Sequence, residues 1–401
     1  MSAGPEQRVG YGRVLASGEF RALFAAQLIS VAGTSVAAVA LTVLIYRRTH
    51  SPVLASLAFS VGFLPYLVGG GALSGVADRV RPRGLVTACG AGSAVLAGVM
   101  VWPGVPVAAL LGLLFGIGCL SSLSAGSRAV LVRSTVAHEA YVPARSLMRI
   151  AAQLAQLGGN AGAGVLLLVL SPRGALAVNA VSFAVAAAMV RAVVGDHTGS
   201  AGGAPLGSWR GGKAVLAHAQ LRRLLLIGWL VPMFTVAPEA VAAPYVAAHH
   251  GAPSLVGWWL TALPVGIIAG DIAGIRGLDP ARQRRMVLPA AAAGFVPYLA
   301  FVADPAVPVA LPLLVASGAC SLYGLGLDAR IRDAAPAGLF TRTMTLSSAG
   351  LMALQGLGFT AAGAVAGALG PAGAIATAGG CGLAVVALLS RPGGSKAQDE
   401  G

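Results

Sequence analysis

The stretch "SGVADRVRPR", Ser74 to Arg83, places one Asp and three Arg within its last six positions, in a chain of 401 residues of which only 10% are charged. Soluble domains carry about 25% charged residues. Here 57% of residues are hydrophobic and the mean hydropathy is +0.81, more apolar surface than one aqueous fold can bury. The charged cluster therefore reads as a turn between two membrane-crossing segments, and the neighbouring sequence bears this out. Apolar runs lie on either side of it, and each approaches the length of about 20 residues that a helix needs to cross a bilayer.

The same punctuation recurs along the chain. We count twelve apolar runs: 22–46, 53–76, 84–102, 106–126, 147–170, 173–194, 223–247, 254–275, 286–303, 307–326, 343–369 and 371–390. They are rich in Ala, Leu and Gly and lack the ten-residue alternation of a membrane barrel, which makes them helices. Glycine is tolerated because small residues let membrane helices approach closely. The expected fold is an all-α membrane protein with twelve transmembrane helices in two six-helix bundles. The first run exceeds the length of a signal-peptide apolar core and is followed by further spans, so it is expected to stay attached.

Charge distribution sets the topology. With the N-terminus inside, inner segments and span ends hold 24 of the 27 Lys and Arg, and outer loops hold only Arg47, Arg48 and Arg173. That asymmetry obeys the positive-inside rule and predicts both termini in the cytoplasm, in a multi-pass protein of the cell membrane. A nucleic-acid surface needs a contiguous basic face with aromatics for stacking, whereas these cations are dealt out a few per inner segment, so nucleic acid is not an expected partner. Cys89, Cys119, Cys320 and Cys381 all fall in apolar runs without metal-ligand spacing, which fits packing residues. No Walker sequence, nucleophile elbow or paired acid constellation is present, so no enzyme, metal or cofactor is expected.

An internal repeat underlies the pattern. A shift of 199 residues aligns Leu64–Pro65 with Leu263–Pro264, Gly71 with Gly270, Gly75 with Gly274 and Arg83 with Arg282. The same shift aligns Gln156 with Gln355, Gly159 with Gly358, Gly164 with Gly363 and Pro172 with Pro371. Matching Pro, Gln and Arg at one offset divides the chain into an N-terminal bundle (1–194), a cytoplasmic linker (195–222) and a C-terminal bundle with a short tail (223–401).

Twelve spans in two parallel halves, a central inner loop and the acid-basic turn together resemble the major facilitator superfamily. Its turn signature is G-x-x-x-D-R-x-G-R-R/K. Asp78, Arg79 and Arg83 match it, Ser74 stands at the first Gly with Gly71 and Gly75 nearby, and Arg81 and Pro82 replace the second Gly and a basic residue. The resemblance implies a cytoplasmic gate at Gly71, Gly75, Asp78, Arg79, Arg81 and Arg83. There the Asp faces a helix N-terminus, an arrangement favourable by about 0.3–1 kcal/mol. Within the superfamily, residues 19–65 and "APEAVAAPYVA" (237–247) resemble the exporter branch of enterobactin and macrolide efflux proteins, in particular its actinobacterial members. That resemblance implies export of a small molecule in exchange for protons. Two features depart from the branch: Thr34 stands where relatives often carry an acid, and "QLGGNAGAG" (156–164) lacks the proline of an antiporter signature.

Ionisable residues inside a membrane are costly and are functional candidates by default. Two acids qualify as proton-coupling candidates. Glu239 lies among Pro232, Pro238 and Pro244, where a broken helix would free carbonyls to line a cavity, or it lies near the outer end and is satisfied by water, His249 or His250. Asp271 lies near the inner surface, where it is expected to pair with Arg276 or an Arg of the following loop. Gln27, Thr34, Tyr66, Gln153, Gln156, Asn160, Asn179 and Gln355 are polar candidates for the cavity, each with the alternative role of interhelical hydrogen-bond glue. The scarcity of charge favours a hydrophobic or amphiphilic cargo. A lipid translocator, an uncoupled facilitator and a non-transporting membrane sensor or assembly partner remain as alternatives, and the expected molecule is a monomer. Since the repeat makes Gln156 and Gln355 equivalent, we expect them to face one another across the cavity. The double substitution Gln156→Ala/Gln355→Ala should then change transport rate or substrate range, which a dye-panel transport assay would read.

Overall fold

In an apolar solvent each span must satisfy its own backbone, and the described spans do so as helices. The computed structural model describes residues 14–72, 80–137, 141–196, 215–334 and 340–390, and contains no strand among them. The first six helices are α1 (Gly18–Thr49), α2 (Pro52–Ala72), α3 (Pro82–Met100), α4 (Val107–Thr135), α5 (Tyr141–Val169) and α6 (Pro172–Val193). The chain continues as α7 (Ala219–Thr235), α8 (Ala237–Ala240), α9 (Ala242–Ala248), α10 (Leu255–Gly277), α11 (Pro280–Arg285) and α12 (Val287–Leu299). Last come α13 (Val307–Ala319), α14 (Tyr323–Ala334) and the long α15 (Phe340–Ser390).

Nine of these segments are long and apolar enough to cross a membrane, and Pro52–Gly62 and Val287–Ala303 are shorter apolar helices. Each expected span overlaps one of them among the described residues. The longest, Leu346–Ser390, carries the last two. Inside α15 one residue, Gly370, leaves the helical region at φ 77° and ψ 167°, with Pro371 following. Only glycine takes that φ without a Cβ penalty, and proline then starts a new helix well.

Contacts divide the chain into two compact units, residues 1–44 with 64–207, and residues 45–63 with 208–401. In the first unit α3 packs on α6 and on α4, with Gly90 set against Ala187 so that an added Cβ would approach its side chain to 3.1 Å. Gly159 of α5 sits against the carbonyl of Ala32 and the side chain of Ser35 on α1. In the second unit Gly358, the repeat mate of Gly159, sits against the carbonyl of Met233 on α7. The 199-residue offset thus corresponds to a shared helix contact. The second unit also holds the start of α2: the Thr360 hydroxyl donates to the Ser60 hydroxyl at 2.9 Å, and Phe59 stacks on Phe359 at 5.0 Å.

A close approach within the second unit joins α10 and α13. Gly266, Gly270 and Gly318 leave backbone directly against backbone, and a Cβ on Gly270 would run into the carbonyl of Ala319. We expect Gly270→Val to destabilise the fold by about 1–3 kcal/mol, the usual cost of overpacking. Gly62→Ala, which meets nothing within 4 Å, should be neutral. Thermal unfolding of the two purified variants in detergent checks both.

Candidate functional site

Proline at 232, 238 and 244 removes three backbone donors from a single apolar segment, and the helix breaks accordingly into α7, α8 and α9. Two carbonyls of the broken segment accept from aromatic side chains of other helices. The indole of Trp259 on α10 donates to the carbonyl of Pro238 at 2.8 Å, and the hydroxyl of Tyr298 on α12 donates to that of Thr235 at 2.9 Å. Both aromatics are buried, and with Tyr245, Phe295 and Phe301 they form a cluster of edge and tilted contacts. The break is thereby a joint packed against aromatic rings whose polar tips donate to two of its carbonyls.

Glu239 stands on the one-turn helix α8 in this joint, partly exposed, inside the candidate span Ala219–Ala240. Its carboxyl lies within electrostatic reach of the Tyr298 hydroxyl, and no hydrogen bond or ion pair holds it among the described residues. His249, weighed above as its partner, is engaged elsewhere. It stacks on Tyr245 at 4.6 Å, its Nδ1 lies 3.0 Å from the Tyr245 carbonyl, and its Nε2 lies 3.4 Å from the Asp304 carboxylate.

Asp271 is partly buried on α10, and the pairing expected for it is not formed among the described residues. The loop arginines take other acids, Arg282 approaching Asp279 at 4.0 Å and Arg284 meeting Asp333 at 3.0 Å. The charge nearest in effect to Asp271 is that of Asp328 on α14. Asp328 is a third acid within an apolar stretch, Val307–Ile331, and sequence reading missed it by ending that span at residue 326. A short 3-10 turn at Cys320–Leu322 carries the helix onward from α13 into α14.

Arg128 was missed for the same reason. Placed in a cytoplasmic loop by its charge, it instead sits inside α4, about 10 Å of helix from the Thr135 end. Its guanidinium donates to the Gln27 side chain of α1 and to the Ser124 hydroxyl at 3.5 Å. The signal was there in the apolar run Ala129–Val132, which continues the helix beyond the arginine. Gln27, one of the polar candidates, is thus a partner of Arg128.

The other polar candidates separate by environment. Thr34 is exposed and returns its hydroxyl proton to the Ser30 carbonyl at 2.8 Å. Gln153 and Gln156 are exposed on α5 and Gln355 is partly buried on α15. Asn160 and Asn179 are buried. Asn179 belongs to a tight helix contact, since its side chain and Ser182 meet the face of α1 at Gly33. The side chain of Tyr66 lies outside the described residues.

Of the gate motif, Gly71 is helical at the end of α2, while Gly75, Asp78 and Arg79 lie outside the described residues. The two arginines that follow grip the end of the first unit's last helix. Arg81 pairs with Asp196 at 2.6 Å, and Arg83 donates to the Arg191 carbonyl at 2.6 Å. Glu19 accepts from the amide of Gly195 at 3.0 Å.

No family model and no curated protein matches the chain. Solved structures do. A nucleoside transporter, NupG, superposes with a TM-score of 0.70 at 12% identity over 92% of this chain and 98% of its own. A bacterial homologue of the human lysosomal transporter Spinster, inward-facing, gives 0.67 at 14% identity over 97% and 95%. The human organic anion transporter MFSD10 (TETRAN) gives 0.59 at 18% identity over 97% and 100%. The fold of this chain is that of the major facilitator superfamily transporters.

The aromatic joint is open to direct test. Trp259→Phe and Tyr298→Phe each leave a buried carbonyl without its donor, and should each cost about 1–3 kcal/mol in thermal stability. Arg81→Ala removes an exposed ion pair and should cost under about 1 kcal/mol.

Proposed function

We propose that this protein is a secondary transporter working by alternating access, which exports a hydrophobic or amphiphilic small molecule such as a drug, siderophore or secondary metabolite in exchange for protons. The observation that carries this reading is Glu239, an ionisable side chain set at a helix break within an apolar span and held by no ion pair among the described residues. A carboxyl retained there at such cost has a use in taking up and releasing a proton. The likeness in fold to carriers of nucleosides and organic anions supports transport as the activity. Away from the ends of the described apolar spans charges are few, with Arg128, Asp271 and Asp328 among them, and this supports a cargo with little charge of its own. Asp271 is a second site for protons, near Asp328. The Asp78–Arg79 turn would stabilise the closed cytoplasmic side in a monomer of the cell membrane with both termini inside.

The experiment is uptake of lipophilic dyes and antibiotics into inverted vesicles carrying the protein, with and without an inside-acidic gradient. Wild type should accumulate substrate only with the gradient, and Glu239→Gln should lose the gradient-dependent part by at least about tenfold, the scale of a missing obligatory proton group. Gradient-independent uptake would favour a facilitator. Movement of labelled lipid in the same vesicles would favour a lipid translocator.

A further inference from the structure

A groove of about 370 Å³ runs between α3 and α6 on the outside of the first unit. Its floor and walls are small, with Ala91, Ala94, Ala184 and Ala187 among the lining residues, and Thr87 and Arg191 close it at one end. Ala91 and Ala184 are exposed, so the groove opens outward along two apolar spans rather than into the unit's core. Packing of α3 on α6 is complete behind it, at Gly90 and Ala187.

The polar end differs from the rest. Arg191 is exposed and makes no ion pair among the described residues. The Thr87 hydroxyl oxygen is buried and has no hydrogen-bond partner among them. Arg83 reaches across to the Arg191 carbonyl and so supplies a cation at the electronegative end of α6. The adjoining N-terminus of α3 begins at Pro82 without any side-chain cap, which leaves its electropositive end open at the same place. Asp196, the nearby acid, is already matched by Arg81. The mouth is therefore positive, sits at the boundary of an apolar span, and leads into a slot of hydrocarbon width.

We propose that this groove holds an anionic phospholipid of the leaflet at the Arg191 end of α6. One acyl chain lies along the alanines, and the phosphate lies at the mouth against the exposed Arg191. A basic pocket between membrane helices suits such a head group, and an Arg near the membrane surface favours an anionic lipid about fivefold. Alanine at the lining positions gives the chain room that Leu or Ile would occupy. This inference is independent of the transport reading.

The test is native mass spectrometry of the full chain purified in detergent and equilibrated with equimolar phosphatidylglycerol and phosphatidylcholine. Wild type should retain phosphatidylglycerol preferentially. Arg191→Gln should lower that retention about fivefold, Arg191→Lys should keep most of it, and Ala184→Leu should lower it with the cation intact. Arg173→Gln, at the far end of α6, should change nothing. Equal retention of the two lipids, an unchanged Arg191→Gln, or undiminished retention in Ala184→Leu would overturn the proposal. So would displacement of the bound lipid by millimolar inorganic phosphate, which would mark a plain anion site. Matching thermal unfolding of each variant and wild type guards against reading lost fold as lost lipid.

Discussion

Everything in this molecule answers to the absence of water around its backbone. Within a bilayer a carbonyl that loses its intrahelical donor has no solvent to turn to, and the free energy at stake is several kcal/mol per group. Three prolines in one segment therefore force a decision on the surrounding helices. Trp259 and Tyr298 place an indole N–H and a phenol O–H at the carbonyls of Pro238 and Thr235, and Tyr245 extends the pattern by donating to Pro305 at 2.6 Å. The aromatic cluster follows from that need, since the rings that deliver the donors must themselves be buried together. Hydroxyls elsewhere obey the same rule close to home: Thr34, Thr42, Thr49 and Thr261 each return a proton to a carbonyl one turn back.

Charge is handled by a second version of this constraint. Acids and arginines that lie near membrane ends find one another in exposed pairs such as Arg81 with Asp196 and Arg284 with Asp333, which add little stability but set the ends of helices in place. Those well inside the spans are few. Arg128 leans on Gln27 and Ser124, and Glu239 stands near Tyr298.

The helical class, the spans and the two-part repeat were legible because each is written in composition and period. Gly159 and Gly358 fall at one offset and make the same kind of contact, on Ala32 and on Met233. What was not legible was where helices stop relative to the charges in them. The arginine of α4 and Asp328 of α14 were set in loops because a charge was taken as the end of an apolar run, whereas α4 continues through Thr135 and the chain re-enters a helix after Cys320–Leu322. The helix break at Glu239 was visible in its prolines, but the donors that satisfy it come from α10 and α12, far along the chain. No local pattern announces a partner 21 or 63 residues away.

One feature of the last helix has a mechanical side. Its two spans are joined through Gly370 alone, with helix resuming at Pro371. A connector of a single residue has no slack, so the two spans cannot slide along one another or drift apart at that end without unwinding a turn of helix. They are coupled at a single kink. A push delivered to the 340–369 arm is transmitted to the 371–390 arm as torque about one glycine, and chain length inserted at that point would convert a lever into two independent rods.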